Sequence, residues 1–148
     1  FRDRVFSGET QIAVWPGLDN GLPSARYSPE ELVPIQQIQL QWPMWGQYYE
    51  TDGKAGEPVD MPEAMELLAL NEQWKAAKSD AERAAAWDQI LSIHADQQFM
   101  IGIVCCTGQP VVVNKRLHGV PAVGIYSWDP GAYFGMYNMD TFWLEAGK

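Results

Sequence analysis

The chain has 148 residues, 47% of them hydrophobic and 20% charged, and carries a formal net charge of −9. That length suits a single domain with an ordinary core, and the apolar content excludes a disordered chain. Its ten basic residues are scattered, with Lys115-Arg116 the longest basic run, which excludes a nucleic-acid surface and adhesion to anionic lipid and leaves neutral or cationic guests.

From the start of the chain, Arg2 to Ser7 reads as the tail of a helix stopped by Gly8. Arg2-Asp3-Arg4 looks like the middle of a charged helix rather than a leader, so the expectation is a piece of a longer protein. Gln11 to Trp15 is apolar and partly β-branched, ends at Pro16-Gly17, and reads as a strand. Residues 17–34 form a Gly/Pro/Ser/Asn-rich loop, with one helical turn at Glu30 to Val33. The pattern of Ile35 to Leu40 fits neither helix nor strand. Trp42 to Gly46 is an aromatic knot, and Tyr48 to Pro62 reads as surface loop with turns at Thr51-Asp52-Gly53 and Ala55-Gly56.

Pro62 suits the first turn of a helix running to about Lys78, with Leu67, Leu70, Trp74 and Ala77 on its buried stripe. Ser79 and Glu82 have the spacing of a capping box for a second helix, on which Ala84, Trp87, Ile90, Leu91 and His94 share a face. The short break between them predicts an αα-hairpin. Phe99 to Cys106 and Val111 to Val113 read as strands packed beneath it. Phe99 to Cys106 is also the longest apolar run, far short of the roughly 20 residues that span a bilayer. Cys105 and Cys106 are adjacent, point to opposite faces of a strand, and are expected as small buried residues rather than a disulfide. Leu117 to Leu144 reads as loop, with a turn at Trp128 to Gly131 and with Tyr133, Phe134, Tyr137, Phe142 and Trp143 sealing the core edge. The fold class expected is mixed α/β (α+β): one domain over 1–148, an αα-hairpin on a small sheet.

Little in this pattern supports catalysis. His94 lies in the helical apolar stripe, where a packing role is expected, and His118 sits beside Gly119 in a turn. HxxxH and CxxC are both missing, so neither metal nor cofactor is expected. Glu63, Glu66, Asp80, Glu82 and Asp88 sit at helix starts or on helix exteriors, where they favour the macrodipole. Gly53-Lys54-Ala55-Gly56 lacks P-loop spacing, and no GxGxxG or GxSxG occurs. Trp15-Pro16-Gly17-Leu18-Asp19-Asn20 is the stronger binding candidate, because a strand-end Trp followed by a turn carboxylate presents a stacking face and a charge together. Two readings stay open there: ligand contact, or a core Trp beside an Asp that organises a turn. Trp42 and Trp45 divide the same way between core and site.

The order of these segments resembles the family 5 extracellular solute-binding proteins, the peptide, opine, sugar and nickel receptors of bacterial ABC importers. Arg2 to Trp15 is similar to the segment returning from their second lobe. The helical pair with Leu67-Leu68, Leu70, Trp74, Asp80, Arg83, Trp87 and Ile90-Leu91 is similar too. So are Phe99 to Val104, Pro110 to Val113, Asn114 to Pro121, Trp128-Asp129 and the closing Asp140 to Trp143. The likeness spans nearly the whole chain and would cover the last quarter or so of a family member.

The resemblance implies the C-terminal portion of a type II periplasmic-binding-protein-like fold, with residues 1–34 as returning strand and hinge-proximal loop and 35–148 as helical pair plus strands. It implies a non-enzymatic, monomeric receptor in the periplasm or at the cell surface. Such a receptor captures a peptide, opine or oligosaccharide-like solute between two lobes and delivers it to a membrane permease. The implied ligand-binding residues are Trp15, Gly17, Asp19, Asn20 and Trp45. Pro16-Gly17-Leu18 places one residue more between Trp15 and Asp19 than peptide-binding relatives have, which argues against their amino-group contact here. The alternative functions are a carbohydrate-binding module or secreted sugar-active protein, suggested by seven tryptophans, and a cytosolic interaction domain.

Overall fold

The computed structural model describes residues 1–15, 24–103, 108, 110–124 and 139–146. They separate into two compact units, one built from residues 1–15 and 24–101 and the other from the described residues after Ile101. The first unit is helical: α1 (Arg2–Phe6), a 3-10 turn (Glu30–Leu32), α2 (Pro43–Glu50), α3 (Pro62–Ala76) and α4 (Asp80–Gln97). The second holds β1 (Leu117–His118) and β2 (Trp143–Leu144), with a 3-10 turn at Met139–Thr141 between them. The chain is thus mixed α and β, and no helix among the described residues is long and apolar enough to cross a membrane.

The helical pair follows directly from local chemistry. Pro62 opens α3 at a position whose N–H has no helical partner to lose, and the Ala, Leu, Met and Glu that follow favour helix. The helix ends at Ala76, two residues short of expectation, because Ala77 is extended. Ser79 caps α4 by accepting from the Glu82 amide at 3.2 Å. The reciprocal half of the capping box is displaced: the Glu82 carboxylate accepts from the Lys78 amide at 2.7 Å. Gln98 closes α4 in the left-handed region at φ +53°, its N–H returning to the His94 carbonyl at 2.9 Å.

Ala64, Leu67, Leu70 and Asn71 of α3 are buried, as are Ala86, Trp87, Ile90 and His94 of α4. Trp74, Ala77 and Ala84 are half-buried. Leu91 is not on the buried face; it is 43% exposed, since one residue past Ile90 turns it about 100° away.

Among the described residues, what covers the hairpin is not a sheet. It is a strap, residues 24–40, held by side chains of both helices. Trp74 Nε1 donates to the Ala25 carbonyl at 2.7 Å, Trp87 Nε1 to the Tyr27 carbonyl at 3.1 Å, and His94 Nε2 bonds the Leu32 carbonyl at 2.7 Å. Leu32, Val33, Ile35 and Leu40 are buried along it, together with Pro29 and Pro34. An irregular segment can be buried here because the two prolines bring no N–H to satisfy, while its carbonyls take indole and imidazole donors.

The expected strands are not found among the described residues. Gln11 to Trp15 is irregular, with Ile12 86% exposed. Phe99 to Ile103 and Val111 to Val113 are irregular as well, with Ile101 83% and Val112 97% exposed. The β-branched composition was a fair strand signal, but a strand needs a ladder partner, and these stretches find none among the described residues. The sheet forms instead where only loop was expected, β1 pairing antiparallel with β2 in the register Leu117↔Leu144 and His118↔Trp143. Arg116 reinforces it by donating through its guanidinium to the Glu145 carbonyl. Cys105, Cys106, Trp128 to Gly131, Tyr133, Phe134 and Tyr137 lie outside the described residues. Phe142 is half-buried, whereas Trp143 is exposed.

Helix α2 replaces the expected knot and the start of the expected loop. Pro43 opens it, and Gly46 lets it lie on the strap: a Cβ on Gly46 would sit 2.2 Å from the Gln36 carbonyl carbon and oxygen. Its far end is tied to α3 on the surface, where Tyr49 donates to Glu72 at 2.9 Å and Lys75 reaches both.

Two substitutions test this packing. Gly46→Ala gains about 1 kcal/mol of helix propensity but forces overlap with backbone that cannot rotate away, at a cost of about 1–3 kcal/mol or more. The melting temperature is therefore expected to fall, and a rise would mean α2 does not rest on Gln36. Trp87→Phe keeps most of the apolar bulk but strands the Tyr27 carbonyl, for an expected loss of about 1–3 kcal/mol in denaturant titration. Trp87→Ala should cost about 3–5 kcal/mol; equal small effects from both would show that the indole N–H holds nothing.

Candidate functional site

In the helical unit, α1 and the chain after it approach the junction of strap and α2 and leave a cavity of about 210 Å³. One wall is Val5, Gly8, Thr10, Gln11 and Ala13; the other is Leu40, Gln41, Trp42, Pro43, Met44 and Trp45. Gly8 suits its place, since at φ +76° it turns the chain sharply after α1. None of these side chains carries a formal charge. Two indoles and a methionine give a polarisable, mostly apolar lining, with Thr10, Gln11 and Gln41 as its side-chain polar groups.

A larger depression of about 530 Å³ is bordered by Phe1, Arg4, Glu9, Thr10, Gln11 and Ile12. Both depressions open to solvent; five of the six residues around the larger one are exposed, whereas buried Val5 and Leu40 and half-buried indoles border the smaller, and we assign the site to the smaller.

Gln41 is the unusual member of the wall. Both its amide nitrogen and its amide oxygen are inaccessible to solvent and without a hydrogen-bond partner among the described residues. A sealed, unbonded polar group costs about 1–3 kcal/mol, so this amide is expensive where it stands.

Behind the cavity, Trp42 stacks on Trp45 with centroids 6.2 Å apart and also meets His94 at 5.8 Å and the edge of Phe99 at 5.2 Å. The Leu32 carbonyl can only accept, so His94 Nε2 carries the proton and Nδ1 is the buried atom without a partner among the described residues. Burial holds the imidazole below its ordinary range; the hydrogen bond to Leu32 opposes that shift but does not overcome it. A neutral histidine bonded in the core is a packing group, as its position in the helical stripe predicts.

Of the residues expected to bind ligand, Trp45 lines the cavity. Trp15 does not. It is 46% exposed, stacked on Phe1 at 6.1 Å, with the Arg2 guanidinium 4.8 Å from its ring centroid. Gly17, Asp19 and Asn20 lie outside the described residues. Sequence reasoning missed Gln41, Met44, Thr10 and Gln11, and no spacing signal marks them, because the cavity joins two segments about thirty residues apart by count along the chain.

Elsewhere, the hydrogen bond from Lys75 lowers the Glu72 carboxyl, and the same contact raises the Lys75 ammonium, so both stay charged. That is the wrong direction for a nucleophilic lysine. Among the described residues no group of three or more His, Cys, Asp or Glu is placed to hold a metal ion. No family model, curated protein or solved structure matches the chain.

The buried imidazole sets a pH response. Its depressed proton affinity means the unfolded chain binds the extra proton first, so the stability His94 contributes is full above about pH 6.5 and lost as pH falls below it. The melting temperature should therefore drop between pH 7.5 and pH 5, with a shallower drop in His94→Gln. Identical acid limbs for the two proteins would show that His94 does not titrate on unfolding.

Proposed function

We propose that the chain is the C-terminal part of a two-lobed solute-binding receptor of the family 5 kind, with a type II periplasmic-binding-protein-like fold. It serves an ABC importer in the periplasm or at the cell surface and transforms nothing. The observation that carries the binding reading is the uncharged cavity of about 210 Å³ floored by Trp42 and Trp45. Whole small-molecule sites run from about 300 Å³ upward, so this volume suits one ring or side chain of a solute, the rest being gripped elsewhere.

The exposed β-branched stretches support the larger architecture. Ile12, Val14, Ile101, Ile103, Val111 and Val112 all face solvent, and their β-branched side chains suit strands whose ladder partners lie in another part of a protein. In the receptor they complete sheets with the remaining lobe. Solute touching both lobes then favours the closed form by its differential affinity, and the closed form is what the permease receives.

The intact two-lobed protein tests this reading. Denaturing it after native purification should release a single small organic compound, identified by mass spectrometry, that rebinds with one-to-one stoichiometry in calorimetry. Failure to retain any compound, together with no calorimetric response to peptide, opine or oligosaccharide pools, would overturn it.

A further inference from the structure

The cavity and the sealed amide in its wall are separate observations that converge on one kind of guest. A charged group entering would give up part of its hydration and meet no countercharge among the lining residues. A purely apolar group would fill the space but leave the amide of Gln41 unbonded. A neutral ring with a hydrogen-bonding edge does both. We propose that the cavity receives an uncharged aromatic ring bearing a carboxamide or hydroxyl, with the Gln41 carboxamide as its polar partner.

The parts are in place for this. Gln41 lines the cavity, but its two amide atoms are sealed and face away from the open space; they have no hydrogen bond among the described residues to break before turning toward a guest. Bringing the amide to the cavity takes a rotamer change at χ1 or χ2 together with the soft terminal torsion, with no movement of the backbone. Nitrogen and oxygen together offer one donor and one acceptor in a plane, which matches the edge of another amide. Trp42 and Trp45 supply aromatic surface to the lining, and Met44 adapts to the outline of the guest. An apolar cavity of about 150 Å³ accommodates benzene, so about 210 Å³ accommodates a ring with a small substituent.

This deepens the proposed receptor function and rests on it for biological meaning, but its test does not. Benzamide, benzoate, benzamidine and toluene have one ring in common and differ in charge and polar edge, and each can be titrated into this 148-residue chain. The indole N–H resonances of Trp42 and Trp45 report on the cavity. Benzamide is expected to shift both at millimolar concentration, while benzoate and benzamidine bind at least about tenfold more weakly.

In Gln41→Met, which keeps the length and removes the amide, the preference for benzamide over toluene should fall about tenfold, equivalent to about 1.4 kcal/mol. The ligand-free variant should melt at a higher temperature, because an unbonded amide is gone. The inference is overturned if benzamide causes no shift, if the charged analogues bind equally well, if the preference survives in Gln41→Met, or if that variant melts lower. Any of these would leave the receptor reading standing, since retention of natural solute by the intact protein is measured separately.

Discussion

Three carbonyls, those of Ala25, Tyr27 and Leu32, each take a hydrogen from a ring nitrogen on the hairpin: Trp74, Trp87 and His94. The rest of the helical unit follows from that arrangement. It turns a proline-containing segment into the cover of a two-helix core. It fixes where Gln36 lies, which fixes where α2 can rest and why residue 46 has no side chain. It also places Leu40 and Gln41 at the end of the strap, against the segment that follows α1, and so makes a cavity where two irregular stretches meet.

The cavity has a chemical character unlike the whole chain. A protein of net charge −9 would attract cations over most of its surface, yet the side chains around this space are neutral. Bulk charge therefore says little about what the site prefers. Local chemistry matters more, because the lining side chains offer an ion no countercharge and distant surface charges are screened. Behind Trp42, burial lowers the proton affinity of His94, so the imidazole packed against that indole is neutral at ordinary pH.

The sequence made some of this legible and hid the rest for identifiable reasons. The helical pair was readable because its signals are local: Pro62 at one start, Ser79 at the other, and apolar residues at helical spacing between and beyond. The 3-10 turn near Glu30 and the stop at Gly8 were readable for the same reason. The strap was not, since its bonds join Ala25 to Trp74 and Leu32 to His94, and no periodicity announces a carbonyl's partner. Strand propensity misled at Gln11 to Trp15 and Val111 to Val113, where side-chain type was right for a sheet but no neighbour pairs with them among the described residues. Trp45 was singled out as an aromatic in search of a role. Gln41, one of several glutamines in an ambiguous run, carried no mark at all.

The strap's three attachments also bear on how the chain closes upon itself. They span 49, 60 and 62 residues, so the first to form encloses a long loop and meets the whole entropic cost of doing so. Once Leu32 is held to His94, Tyr27 needs only the four intervening residues to reach Trp87, two turns back along α4, and the remaining closures are short. Cutting any single tie leaves the long loop shut by the other two, whereas the first tie must form unaided. The entropy of closing the long loop is thus shared by all three ties rather than met by each.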